Sequence, residues 1–370
     1  MNDRFKRMPK TMKAAVLKKL GSPLVVETIP DPVLGTGEVI VDVAAAGVLP
    51  YEREVLNGER RYLFELPIVP GAGAIGRVRA VGPDATRLKV GDWVTCDPTV
   101  RARDDAQTPD IILQGLTAGS ERALKLQRHF HHGSFAQQMR VPTENAVPIG
   151  EIAAAQAAQW STMSVLLVPY GGLLAIDMKP GETVLVSGAT GNFGSAGVMM
   201  ALAMGAGCVI APGRNVSMLR DLERRCGARV RTVALTGDET RDTEEMKRAA
   251  PGPIDCVLDL LPPHAGTKPV RAAIMTLREF GRAVLMGGVG MLGGDDLALP
   301  YPWIMRNRIT IRGQWLCPRE ANIRMAAMIR AGLLDLSQFA VTTFSLDDAD
   351  KAVEHAAAHG GAFQRTVICP

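Results

Sequence analysis

The chain has 370 residues, 47% hydrophobic and 22% charged, which is long enough for two cores and too apolar for extended disorder. Its 42 basic and 38 acidic residues leave a formal net charge of +4, and no long Lys/Arg run is interleaved with aromatics. That balance argues against a phosphate-backbone footprint and so against nucleic acid as a partner.

In chain order, the start MNDRFKRMPKTMKAAV is basic and lacks the apolar stretch of a signal peptide. To about Gly150 the sequence reads as short alternating segments, such as Glu38 to Val43 and Gly76 to Val81, punctuated by Gly and Pro. This is β-rich, barrel-like patterning. From Glu151 the texture changes to Ala-rich helical stretches and continuous apolar strands: Thr183 to Val186, Cys208 to Ala211, Val230 to Ala234, Asp255 to Leu260 and Ala283 to Met286. Such runs predict a parallel sheet covered on both faces, hence an α/β fold with a doubly wound sheet. The longest apolar run, MSVLLVPYGGLLAI, is interrupted by Pro169 and Gly171-Gly172, so no membrane span is expected. A helix from Arg319 to Ala331 and a short strand-helix-strand ending at Ile368 follow, a tail too small for its own core that is expected to return to the first domain. The six cysteines lack Cys-x-x-Cys spacing and read as reduced, buried thiols of a cytoplasmic protein.

Gly-x-Gly-x-x-Gly occurs at Gly71 to Gly76 and at Gly288 to Gly293. The first runs into a strand pattern and the second leads to Gly294-Asp295-Asp296, so neither opens a helix. The segment Gly188-Ala189-Thr190-Gly191-Asn192-Phe193-Gly194 departs from that spacing, yet it follows a strand and opens the helix Ser195 to Met204. Small residues there let backbone amides approach a pyrophosphate, and the helix mouth supplies unpaired N–H groups and a favourable dipole. At the second strand end an NAD enzyme carries an acid for the ribose diol, whereas this chain has Gly213-Arg214-Asn215. A cation without an acid suits a 2'-phosphate, so NADP(H) is the expected cofactor.

These residues resemble the medium-chain dehydrogenase/reductase superfamily. The likeness rests on Met12 to Val16, Gly37-Glu38-Val39, the Pro67 to Gly71 turn, Val81-Gly82, the Lys89 to Val94 turn, Gly133 to Ala136, KPGETVLVSGATGNFG from Lys179, and Gly281 to Gly288. It implies a GroES-like β-barrel catalytic domain, residues 1–150 and 319–370, and a Rossmann dinucleotide-binding domain, residues 151–318. It also implies that Gly287, Gly288 and Val289 lie beside the nicotinamide, and that Asn307 to Gly313 holds the edge strand of a homodimer.

The departures from the family pattern bear on chemistry. Zinc alcohol dehydrogenases carry a Cys ligand where this chain has Leu49, and His-Glu where it has Ala72-Gly73. The lobe between Val94 and Gly133 contains only Cys96, so the resemblance implies neither catalytic nor structural zinc. His129, His131 and His132 lack a suitably spaced further ligand and read as a solvated rim. Without a Lewis acid, a hydrogen-bond donor must stabilise the developing oxyanion, which suits electrophiles that already delocalise charge. Tyr51, two residues after the lost Cys, and Tyr62, before Pro67, are the candidate acids, and Glu52 aligns with a supporting acid of the family. The expected function is NADPH-dependent reduction of an enone, enal or quinone. A zinc-free alcohol dehydrogenase or carbonyl reductase is the alternative, favoured by the long lobe after Val94, and a non-catalytic NADPH sensor is a third reading.

Overall fold

A computed structural model describes residues 10–370; the basic start at residues 1–9 lies outside the described residues. Contact density divides the chain into two units, one running to Ser161 with Val341–His359 and Arg365–Pro370, the other comprising Thr162–Ala340 and Gly360–Gln364.

In the second unit, the apolar runs become parallel strands at Thr183–Ser187, Cys208–Gly213, Val230–Ala234, Ile254–Asp259, Leu277–Leu285 and Thr310–Gly313. Numbered within this sheet, their order is 3-2-1-4-5-6, the doubly wound Rossmann arrangement. Burial on both faces explains the run of buried residues through Thr183–Ser187. The order reverses at the first strand, which pairs with the second on one side and the fourth on the other.

The first unit is mostly antiparallel. Its long strand Glu38–Val48 pairs with Ala74–Val81, Gln138–Pro142 and Gln364–Cys369, and two register shifts along its ladder with Ala74–Val81 bend it as barrels require. Met12, Val41, Val78, Val94, Phe135 and Met139 fill its core, with Ala352 and Val353 contributed by the returning helix Ala349–His359. This is the barrel-like unit the sequence patterning anticipates, and the GroES-like domain that the family resemblance implies.

Two sequence expectations, a domain boundary and a helix start, need correction. The apolar run from Met163 forms one continuous helix, Met163–Ala175, that contains Pro169. Its glycines are contact points: a Cβ at Gly171 would stand 2.8 Å from Cys317 Cβ, and one at Gly172 would stand 2.8 Å from Leu258 Cδ1. The helix Glu320–Arg330 clusters with the second unit, since it packs on Met163–Ala175, so the return to the first unit comes at Val341 and not at 319. The glycine-turn helix begins at Asn192, three residues before its expected start. No helix among the described residues is long and apolar enough to cross a membrane.

Candidate functional site

The segment Gly188–Gly194 is a turn built from close backbone approach. Gly188 has φ +78°, Gly191 N–H donates to Gly188 O at 2.9 Å, and Ser195 N–H donates to Gly191 O at 2.9 Å. A Cβ on Gly194 would collide with Gly188 O and stand 2.8 Å from Ala189 Cα, so the helix Asn192–Ala203 seats against the turn only with glycine there. Ala189 is fully buried, while Thr190 and Phe193 are half-buried. The first N–H groups of that helix have no intrahelical acceptor, which gives an anion-binding mouth.

The side-chain amide of Asn192, an expected cofactor-binding residue, donates to Gly361 O at 3.1 Å and Gln364 O at 2.8 Å. It therefore ties the helix start to a segment far along the chain, leaving its backbone N–H for a ligand. Gly213 is buried, and a Cβ there would meet Thr190 Cγ2 and stand 3.1 Å from Leu219 Cδ2. Packing thus requires this glycine, independently of any charge argument. Arg214 is exposed. Asn215 is occupied as N-cap of Val216–Cys226, its Oδ1 accepting from Met218 N–H at 3.1 Å. Gly287, Gly288 and Val289 form a loop over Asp259 to Pro263: Gly288 N–H donates to Leu261 O at 2.8 Å, and a Cβ on Gly288 would stand 2.8 Å from Pro263 Cδ.

In the first unit, Tyr51 precedes the short helix Glu52–Leu56, and the positive φ of Gly58 and Arg61 turns the following chain back. The turn brings the Tyr51 and Tyr62 phenols into hydrogen-bond contact. Burial first, then the neighbouring Tyr62, holds the Tyr51 hydroxyl well above 10, so it remains a proton donor throughout the neutral range. Glu52 is fully buried; its Oε2 accepts from Leu49 N–H at 3.3 Å and its Oε1 has no partner. Burial pushes this carboxyl up to about 7. Glu52 therefore braces the Leu49–Tyr51 turn and is closed to substrate.

The histidine lobe is hydrogen-bonded to its surroundings, with His129 exposed and His131 and His132 half-buried. His129 Nε2 lies 2.6 Å from Glu38 Oε1, His131 Nε2 lies 2.6 Å from Pro67 O, and burial lowers His132 to about 4. Among the described residues, no three His, Cys, Asp or Glu side chains are arranged to hold a metal ion. Leu49, Ala72 and Gly73 offer no ligating atoms, and Gly73 has φ +80° with its Cβ position 2.8 Å from Cys96 O. These residues do not fit a zinc site.

Two buried charged residues, one acid and one base, escaped sequence reasoning. Asp259 ends the fourth Rossmann strand, is 3% exposed, and has one buried oxygen without a partner. Arg365, on the strand Gln364–Cys369, is a basic counterpart: it is 2% exposed, and burial lowers it to about 10. Both sit within apolar strand patterns, where a single charged residue carries no periodic signal.

The fold and the helix-mouth turn define a nicotinamide-type oxidoreductase architecture. The alcohol dehydrogenase GroES-like domain matches residues 35–151. An alcohol dehydrogenase of Rhizobium meliloti (strain 1021) is 29% identical over 317 residues, covering 84% of this chain and 86% of the relative. Two solved structures share the fold. One is a Sinorhizobium meliloti 1021 protein provisionally described as a zinc-binding dehydrogenase, bound to NADP (TM-score 0.76, 20% identity, covering 98% of this chain and 100% of that one). The other is a short chain alcohol dehydrogenase from E. coli CFT073 complexed with NADH (TM-score 0.77, 19% identity, covering 97% and 99%). The chain carries an alcohol dehydrogenase GroES-like domain and over most of its length is similar to alcohol dehydrogenases, which supports an alcohol dehydrogenase-like oxidoreductase of the medium-chain dehydrogenase/reductase type.

Proposed function

We propose that this chain is a zinc-independent, NADPH-dependent oxidoreductase that reduces conjugated carbonyls or quinones by hydride transfer, acting as a cytoplasmic homodimer. The observation that carries the reading is the hydrogen-bonded Tyr51–Tyr62 pair in loops where Leu49, Ala72 and Gly73 leave no metal ligand. The nicotinamide, when bound, supplies the hydride. The amides of Gly191 to Gly194 and the mouth of Asn192–Ala203 would hold its pyrophosphate, with Gly188, Ala189 and Thr190 keeping the approach open. Arg214, exposed at the second strand end with no acid at Gly213, would meet the 2'-phosphate. Gly287, Gly288 and Val289 would flank the nicotinamide. Tyr51 donates its hydrogen bond to the developing oxyanion, a contribution of roughly 3 to 4 kcal/mol for one well-placed donor. Tyr62 shares that proton through their hydrogen bond, and Glu52 keeps the turn that carries Tyr51 in place.

The dimer reading draws on the outer strand Thr310–Gly313, which is hydrogen-bonded on one side only, and on exposed Tyr301, Met305 and Trp315. The long lobe between Val94 and Gly133 favours a second reading, a zinc-free alcohol dehydrogenase or carbonyl reductase. NADPH oxidation on a panel of enones, quinones and simple ketones decides: turnover confined to conjugated acceptors and unchanged by chelator is expected. Turnover of simple ketones alone selects the second reading, and stoichiometric zinc overturns both.

A further inference from the structure

We propose that Asp259 is a positioning residue that makes dinucleotide binding proton-dependent: the second unit takes the cofactor with this carboxyl neutral and loses affinity when it ionises. The inference rests on the dinucleotide reading given above. It begins with placement. Asp259 is in register with Ser187 on one side and Leu285 on the other, at the carboxyl ends of the strands beside the reversal of strand order, where ligands of such sheets bind. The loops above it are those expected to hold the cofactor. A Cβ on Gly287 would stand 2.8 Å from Asp259 Oδ2, and one on Gly188 would stand 3.2 Å from Leu260 O.

The carboxyl is poorly provided for as an anion. Leu261 N–H donates one hydrogen bond to it, while Oδ1 is buried with no partner. Among the described residues no cation pairs with it, as the surrounding elements show. Thr183–Ser187 and Asn192–Ala203 carry no titratable residue. Met163–Ala175 carries only Tyr170, which is bonded to Arg324. On Leu277–Leu285, Arg278 pairs with Asp255, Glu279 with Arg308 and Arg282 with Glu182. Lys268–Ile274 brings Lys268 and Arg271, the latter paired with Glu239, and the adjoining loops bring His264, Asp295 and Asp296. Burial raises the proton affinity of the Asp259 carboxyl and the Leu261 N–H lowers it, burial being the larger effect. Burial pushes it up to about 7, where a proton is available near neutrality. A buried, half-satisfied anion must draw in water or shift the Gly287 loop, and it repels the phosphates of an incoming dinucleotide.

The test is the pH dependence of the NADPH dissociation constant, read by nicotinamide fluorescence on the intact chain and on Asp259→Asn, with NADH in parallel to separate titration of the 2'-phosphate. For the wild type, the constant should be level below about pH 7 and then rise, approaching about tenfold per pH unit above that. Asp259→Asn, which keeps the shape without the ionisation, should lack this rise for both nucleotides. Parallel wild-type and Asp259→Asn curves overturn the inference while leaving the dinucleotide reading intact, and no binding of either nucleotide at any pH overturns both. Should Asp259→Asn fail to fold, calorimetry of wild type at about pH 8 in two buffers of different ionisation enthalpy decides: net proton uptake on binding is expected, and none overturns the proposal.

Discussion

The guanidinium carbon of Arg60 lies 3.9 Å from the centre of the Tyr51 ring, and Arg60 Nε donates to Glu54 at 2.8 Å. The Arg60 side chain is only 9% exposed, so this cation is held over the ring by a carboxylate rather than by solvent. A partly desolvated cation–π contact contributes about 1 to 2 kcal/mol. Arg60→Met is expected to lower unfolding stability by about that amount, measured by urea denaturation, with Arg60→Lys recovering part of it. Equal stability of Arg60→Met and wild type would show that the stack contributes nothing.

Gly213 and Thr190 set how the cofactor preference responds to mutation. Gly213→Asp alone installs the acid of an NAD site, but its Cβ meets Thr190 Cγ2, so it should cost about 1 to 3 kcal/mol of stability and bind neither nucleotide well. With Thr190→Gly added, the acid has room, and the NADH to NADPH affinity ratio should rise at least about tenfold. Fluorescence titration of both nucleotides against the single and double variants checks this.

Glu52 contributes a signed pH dependence. Its carboxyl rises from 4.5 to about 7 in the fold, so the fold holds the proton more tightly than the unfolded chain does. The associated stability is fully present below pH 4.5 and is lost as pH rises towards about 7, a change of up to about 3 kcal/mol. Glu52→Gln, which cannot ionise, should be more stable than wild type at pH 8 by about 3 kcal/mol and converge with it near pH 4. Denaturation midpoints across that range measure the gap, and a gap independent of pH would refute the assignment.

Asn192→Ala removes both donors to Gly361 O and Gln364 O. Losing two partly buried hydrogen bonds should cost about 1 to 3 kcal/mol and raise amide exchange in Gly360–Gln364. Unchanged exchange there would mean that the segment is held by other contacts.

The glycine turn, the parallel strands and the barrel-like first unit were legible in the sequence because each follows from local backbone sterics or from a periodic apolar pattern. Tyr51 and Tyr62 were legible one at a time, from their positions in the early loops. Their contact was not, since it depends on the chain reversing through Gly58 and Arg61, and positive φ at an Arg has no composition signal. The helix Met163–Ala175 was not legible, because Pro169 and two glycines argue against a helix locally and are offset only by close packing against Leu258, Leu316 and Cys317.

By itself the sequence determined where small residues let backbone approach backbone, which segments are strands, and that Leu49, Ala72 and Gly73 cannot ligate a metal. Those properties belong to residue types and to neighbours a few positions apart. The tertiary structure alone decided that the Asn192 side-chain amide bonds Gly361 and Gln364, that the Gly213 Cβ position is filled by Thr190, and that Glu52 and Asp259 are carboxyls with a bare oxygen. Desolvation and pairing depend on residues distant in sequence that come together only when the core closes, so the proton affinity of a buried acid is a property of the fold.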